Sequence, residues 1–278
     1  IGLSGGDPLM QVLEASDVSI PERPRQAHKW TAGAVATVGG VAGLTGAALF
    51  TARSALRAGA GVSTLLTTAA TDVTYEVMAP EIPTMQASET TSWQDHASEL
   101  LSLLGRFDTL IVGPGLEPAP VQFVETLIES FGGSLVLDAG ALGAITHLGI
   151  LFERKLPAVL TPHAGEFTRL SGTDPSPETA RRLAVATGSV VVLKGNPTIV
   201  AGKSITLVDN AGPELATIGT GDVLAGIIGA LLAQGVDAEE AARSGVWIHG
   251  EAGSSLAKRQ TVTADALVDE VATVIARL

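Results

Sequence analysis

Gly219-Thr220-Gly221-Asp222 runs straight into Val223-Leu224-Ala225-Gly226-Ile227-Ile228-Gly229-Ala230-Leu231-Leu232-Ala233, an apolar stretch that reads as a buried helix. Unpaired N–H groups and the positive end of a helix dipole favour phosphate at such a junction, and the glycines let a ligand come close to the backbone. A carboxylate at that mouth repels a bare phosphate, so Asp222 reads as a general base acting on a neighbouring hydroxyl. Taken alone the tetrad reads equally well as a helix cap, because Thr and Asp both cap helices. The choice depends on what the rest of the chain brings to this place.

Upstream, short apolar runs alternate with helical patterns. Val35-Ala36-Thr37-Val38, a glycine-rich turn through Gly46, a helix from Ala47 to Arg57 and a strand from Val62 to Leu66 make a βαβ unit. Further strands are expected at Thr109–Val112, Leu135–Leu137, Ala158–Leu160 and Val190–Leu193, with helices at Pro120–Ser130 and Pro177–Thr187. Thr198–Ala201 and Ile205–Val208 flank Gly202-Lys203 as a hairpin. Asp237 and Glu240 read as a capping box for a helix through His249. The order implies an α/β fold, a mainly parallel sheet with helices on both faces. Residues 1–27, with Gly5-Gly6-Asp7-Pro8 and Pro21-Glu22-Arg23-Pro24, read as a lead-in, and the body as 28–278.

Composition agrees and narrows the function. The 278 residues are 46% hydrophobic but only 4% aromatic, a core of Ala, Val, Leu and Ile suited to parallel strands under helices. Seventeen basic against 29 acidic residues give a net charge of −12, which argues against nucleic acid or an anionic membrane as a partner. Cysteine is absent, so there is no disulfide, thiolate nucleophile or zinc-thiolate site, and a cytoplasmic location is compatible. The longest apolar run is too short to span a bilayer. The chain starts at Ile1 with neither Met nor a basic, apolar leader and reads as a segment of something longer or as a processed chain, not as a secreted precursor.

In parallel sheets ligands bind beyond the carboxyl ends of the strands. Gly113-Pro114-Gly115, Asp138-Ala139-Gly140, Thr161-Pro162-His163-Ala164-Gly165-Glu166 and Lys194-Gly195-Asn196-Pro197-Thr198 all fall at such ends, on one edge with Asp222. Lys194 is either a point charge for phosphate or a solvated strand-end lysine. His163 and Glu166 are spaced to share a helix face, but the remaining histidines at 28, 96, 147 and 249 have no ligand spacing, and Glu166 fits Mg²⁺ held through water better than a direct metal pair. Asp138 is either a turn-capping residue or a supporting carboxylate. The Gly39–Gly46 loop has the wrong spacing for a dinucleotide fingerprint, and no Walker A sequence occurs. The joint order of these sites on one edge points to phosphoryl chemistry.

His28-Lys29, Gly43-Leu44-Thr45-Gly46-Ala47-Ala48, Gly113-Pro114-Gly115-Leu116, Leu137-Asp138-Ala139-Gly140-Ala141-Leu142, Leu160-Thr161-Pro162-His163-Ala164-Gly165-Glu166-Phe167, Lys194-Gly195-Asn196-Pro197-Thr198 and Gly219-Thr220-Gly221-Asp222 resemble the ordered motifs of the NAD(P)H-hydrate dehydratases, from about His28 to about Lys258. The resemblance implies a ribokinase-like three-layer sandwich that returns hydrated NADH or NADPH (NADHX, NADPHX) to NAD(P)H, using ADP or, in other members, ATP, with Mg²⁺. It implies nucleotide contacts at Lys194, Gly195, Asn196, Pro197, Thr198 and Gly221, and hydrate contacts at Ala48, Gly115, His163 and Asp222. Gly219, Thr220 and Gly221 would form the anion hole, with Asp222 as base. A homo-oligomer, tetramer or larger, is also implied. Ile218 stands where many members have glycine, and Gly212-Pro213 replaces an Asn-Gly-type segment. Ile1-Gly2-Leu3-Ser4 resembles the end of the epimerase domain that precedes this one in bifunctional members. The competing readings are a ribokinase-like small-molecule kinase and a non-catalytic nucleotide-binding module.

Overall fold

Runs of Val, Leu, Ile and Ala that are apolar at every position suit strands covered on both faces. The computed structural model, which describes residues 10–88, 92–94 and 96–278, places them as β1 Met10–Val12, β2 Ala34–Val38, β3 Val62–Thr68, β4 Thr84–Ser88, β5 Thr109–Val112, β6 Ser134–Leu137, β7 Ala158–Leu160, β8 Val190–Leu193, β9 Thr198–Ala201 and β10 Ile205–Val208. Among the described residues they form one sheet in the order β1-β10-β9-β8-β7-β6-β5-β2-β3-β4. Only the pairs involving β9 are antiparallel, because the chain reverses both at residues 194–197 and at Gly202-Lys203.

Side chains alternate across the sheet. Val35, Ile111, Val136, Val159 and Val192 face a core closed by the helices Thr45–Arg57, Thr220–Ala233, Ala238–Ala257 and Ala264–Ile275. Ala36, Leu110, Leu135, Leu160 and Val191 face a second core under Ala97–Leu103, Val121–Ser130, Ala164–Ser171 and Pro177–Thr187. The three-layer α/β sandwich expected from the sequence is the fold. Helix Thr220–Ala233 crosses β2, β5 and β6 and packs along Thr45–Arg57. Gly226 permits that approach, since a Cβ there would stand 2.0 Å from Ser54 Oγ and 2.2 Å from Thr51 O. Ile227, Ile228 and Leu231 on this helix are fully buried, each worth about 1.5–3 kcal/mol.

The strand order fixes where a ligand can enter. From β2 the chain builds outward to β3 and β4, then returns to β5 on the other side and builds toward β8. The helix after β2 covers one face and the helix after β5 the other, so their connections part and leave a crevice at the carboxyl ends of β2 and β5.

Part of the lead-in before His28 packs on the body: β1 pairs with β10, and Ser19 N donates to Ser244 Oγ at 2.9 Å; the Gly5–Pro8 and Ile1–Ser4 stretches lie outside the described residues. One expectation is corrected. Asp237 does cap its helix, but through the Glu239 amide at 3.0 Å, while Glu240 turns to Arg243 and Ser244 and completes no capping box. Among the described residues no helix is long and apolar enough to cross a membrane.

Candidate active site

Gly219 precedes helix Thr220–Ala233 with φ +89°, a left-handed conformation that suits glycine. The Thr220 hydroxyl is used internally, donating to Leu215 O at 2.7 Å and Thr217 O at 2.9 Å, and its amide makes a long bond of 3.4 Å to Thr217 O. The Gly221 and Asp222 amides have no partner among the described residues, as the first turn of a helix requires. Of the expected anion hole, Gly221 therefore offers the clearest donor, and Asp222 adds its own amide.

Asp222 is half-buried on this turn. Burial, reinforced by the Asp138 carboxylate and opposed by the Lys194 ammonium, raises its pKa to about 7. Thr51, in the second turn of helix Thr45–Arg57, donates its hydroxyl to Asp222 O at 3.1 Å and to Ala47 O at 3.0 Å, tying the two helices together at the crevice.

Lys194 extends β8 beside β7: its amide donates to Pro162 O at 2.9 Å, and it forms a parallel bridge with His163. Neither a free phosphate cation nor a solvated strand end describes its side chain. Nζ stands 2.8 Å from Asp138 Oδ1 and 3.9 Å from Glu166 Oε2. Burial alone would lower this ammonium's pKa, but Asp138, Glu166 and Asp222 together hold it above its ordinary value. Asp138 is buried, and its Oδ1 also accepts the Thr161 hydroxyl at 2.7 Å. The structure thus makes it a supporting carboxylate.

The His163–Glu166 spacing resolves as a capping box. His163 Nδ1 accepts from the Gly165 and Glu166 amides at 3.0 and 3.3 Å, and Glu166 Oε2 accepts from His163 N at 2.8 Å. The imidazole is left exposed at the edge.

A cavity of about 460 Å³ opens beside these groups. Lys194, Gly195, Asn196 and Thr198 line one wall, with Gly221 and His249 behind them; Pro197 is not among its lining residues. At the carboxyl ends of β2 and β5, Gly40 N and Val41 N donate to Pro114 O and Gly115 O, each at 2.9 Å. Gly115 has φ +67°, and a Cβ on it would stand 2.4 Å from Leu44 O. Ala48 is fully buried beneath this loop and presents no surface to the crevice, so any part it has in holding a ligand is through the shape of the wall. Sequence reading missed His249, whose Nε2 lies 2.8 Å from Thr220 O, and Asn210, which donates to Trp247 O at 2.8 Å. Both join elements distant in the chain, and no local spacing marks either.

The architecture is that of the ribokinase-like proteins. A protein of that superfamily from Enterococcus faecalis has a similar structure, with a TM-score of 0.84 and 25% identity over 96% of both chains. Within this class, the NAD(P)H-hydrate dehydratase family matches residues 35–275, and the chain belongs to that family. It is 37% identical to an ADP-dependent (S)-NAD(P)H-hydrate dehydratase from Xanthomonas campestris, over 82% of this chain and 81% of that protein. It is also 37% identical to a bifunctional NAD(P)H-hydrate repair enzyme from Moorella thermoacetica, over 87% of this chain and 48% of that protein. The chain therefore spans about half the length of the bifunctional relatives it matches.

Proposed function

We propose that this chain dehydrates hydrated NADH or NADPH with ADP as phosphoryl donor, and that Asp222 is the base. The observation that carries the reading is a carboxylate with a pKa of about 7 on the same helical turn as the unpartnered Gly221 amide. A base is most effective when its pKa lies near the working pH. The ADP-dependent relative supports the choice of donor.

Asp222 takes the proton of the 6-hydroxyl as that oxygen attacks the β-phosphorus of ADP. A new O–P bond forms, the bridging O–P bond breaks, and AMP leaves. The Gly221 and Asp222 amides meet the charge on the phosphoryl oxygens, and the helix end adds to them. The C6–O bond then breaks with its electrons, phosphate departs, and loss of a C5 proton restores the ring double bond. Nucleotide binding is assigned to the Lys194–Thr198 wall and Gly221, and hydrate binding to Gly115 at the β2–β5 crevice and to His163, which lines the cavity as well.

Magnesium is implied by the family resemblance. Among the described residues no group of three or more His, Cys, Asp or Glu side chains could hold a metal, and Glu166 Oε2 is already engaged by the His163 amide. This donor set fits a hydrated ion carried by the nucleotide phosphates and held by Glu166 through water; it would supply charge neutralisation at the phosphoryl group. An epimerase domain upstream of Ile1, a homo-oligomer and a cytoplasmic location complete the proposal. The bifunctional relatives support the first, and light scattering of the purified chain tests the second.

The test is Asp222→Asn, assayed with NADH hydrate, ADP and Mg²⁺ by recovery of the dihydronicotinamide absorbance and release of phosphate. ADP affinity is expected to persist while turnover falls by about 10³-fold or more. Retained turnover removes Asp222 from the base role. Phosphate that stays esterified to the product, with no recovery of absorbance, assigns the chain to small-molecule kinases instead.

A further inference from the structure

Helix Ala238–Ala257 does more than close the core. It reaches the cavity wall built by residues 208–216 at several points. Asn210 Nδ2 donates to Trp247 O at 2.8 Å, and Ser254 Oγ donates to Asn210 O at 2.9 Å and lies 3.0 Å from Glu214 Oε1. Glu214 Oε1 in turn accepts the Gly212 amide at 2.8 Å. Gly250 lets the strand-side residue seat against the helix, since a Cβ there would stand 2.2 Å from Asn210 Oδ1. These contacts fasten the near end of the segment between β10 and helix Thr220–Ala233.

The far end is fastened by His249, a residue the proposed chemistry leaves unused. Its Nε2 lies 2.8 Å from Thr220 O, and the ring is buried while still lining the cavity. A carbonyl only accepts, so Nε2 carries the proton. Burial lowers the ring's pKa to about 4, with the Thr220 contact opposing that change and the Lys194 charge adding to it, so the ring is neutral at pH 7. Nδ1 is then the bare nitrogen.

The peptide unit explains why this contact matters. Thr220 C=O and Gly221 N–H belong to one rigid plane and point in opposite directions across it. Drawing the carbonyl toward His249 therefore aims the Gly221 N–H the other way, away from helix Ala238–Ala257. The next peptide unit begins at Gly221 and sets Asp222. One hydrogen bond thus orients both the amide that meets the phosphoryl group and the residue that takes the proton.

We propose that His249 is a positioning residue for phosphoryl transfer, acting through Thr220 O on the Gly221 amide and Asp222. This rests on the reading of the site as a nucleotide-dependent dehydratase. The effect of losing one pre-aimed donor is a fall in turnover larger than the fall in nucleotide affinity.

The test compares His249→Phe, which keeps the ring's bulk without a donor, with His249→Gln, which can return an Nε2–H to the same carbonyl. With NADH hydrate and ADP, the Phe variant is expected to lose about 10- to 100-fold in kcat with a smaller change in KM for ADP, and the Gln variant to recover much of that loss. Equal losses in both variants, or full kcat in folded His249→Phe, overturn the proposal. ¹⁵N NMR of the wild-type protein is expected to find a neutral Nε2–H imidazole at pH 7, and the Nδ1–H form overturns it. A second readout separates this inference from the functional reading: ADP should move the Gly221 amide resonance in the wild type and move it less in His249→Phe. If the wild type turns over no hydrate, the dehydratase reading falls, and the amide resonance still decides the role of His249; an identical response in both proteins overturns it.

Discussion

Asp222 holds its proton to about pH 7, so the pH dependence of turnover should carry its signature. An aspartate of ordinary pKa is ionised throughout pH 5 to 8, and a reaction relying on it would be flat there. With a pKa of about 7, roughly 1% of the base is ionised at pH 5 and half at pH 7. Initial rates at low hydrate and saturating ADP should therefore rise about 50-fold between those values and less than about 2-fold above pH 7. The same group marks stability. Because the folded protein binds this proton more tightly than the unfolded chain does, the stability it contributes is fully present below about pH 4 and is lost as pH rises through 7.

Moving an aspartate pKa from 3.8 to about 7 corresponds to roughly 4 kcal/mol at full burial, and partial access of water to the site reduces this to about 2 kcal/mol. Asp222→Asn, which has no charge to desolvate, should be more stable than the wild type by about that amount at pH 8 and no more stable at pH 4. Urea unfolding at both pH values measures the difference, and the ¹³C shift of the Asp222 carboxyl gives the titration directly. A carboxyl that titrates below pH 5, together with a flat rate profile, would refute the desolvated base.

Two further substitutions test the supports of the site. Gly219→Ala forces a side chain onto φ +89° with its Cβ 2.8 Å from Ala264 Cβ and 3.1 Å from Phe50 Cδ2; it should cost about 1–3 kcal/mol in urea unfolding and raise KM for the nucleotide. Arg154 donates to Phe131 O at 2.9 Å, Gly133 O at 2.6 Å and also Ile128 O, at the end of helix Val121–Ser130. Arg154→Met should cost about 2–4 kcal/mol by leaving those carbonyls without donors, while turnover of the folded fraction stays at the wild-type value.

The sequence carried eight of the ten described strands and the edge they share, because both are written locally; the outer strands β1 and β4 were not among them. Short β-branched apolar runs such as Val190–Leu193 suit strands buried on both faces, and Gly202-Lys203 between two such runs closes a hairpin. Pro177–Thr187 was legible to the residue from its Ser176 cap and the glycine that follows. β1 was not legible, because Met10–Val12 is short, mostly exposed and paired to a strand nearly two hundred residues away. The roles of Lys194 and Asp138 were ambiguous for a related reason. Each stands at the end of its own strand, and only the placing of β7 between β6 and β8 decides that their side chains meet. Glu240 shows the opposite failure: the right spacing for a capping box was present, and Arg243 and Ser244 on the next turn took its carboxylate.

Lys194 is the residue whose role changes most once its partners are known. In a chain of net charge −12, a lone lysine at the phosphate site invites the reading that it neutralises the nucleotide. Yet it stands among Asp138, Glu166 and Asp222, so this cluster remains acidic with the ammonium counted. In the proposed reaction the attraction for phosphate comes chiefly from the helix end and its free amides, which carry no counter-charge to be cancelled. The role we propose for Lys194 there is to hold Asp222 in a usable state: burial and Asp138 push that carboxyl toward its protonated form, and Lys194 is the opposing charge. Lys194→Gln should therefore raise the pH at which the rate levels off, in addition to any loss of nucleotide affinity. At pH 7 the two effects combine; above the displaced pKa only the loss in affinity should remain, so kcat at saturating ADP should recover there. A rate profile that keeps its midpoint while KM for ADP alone rises would restore the simpler view of Lys194 as a phosphate contact.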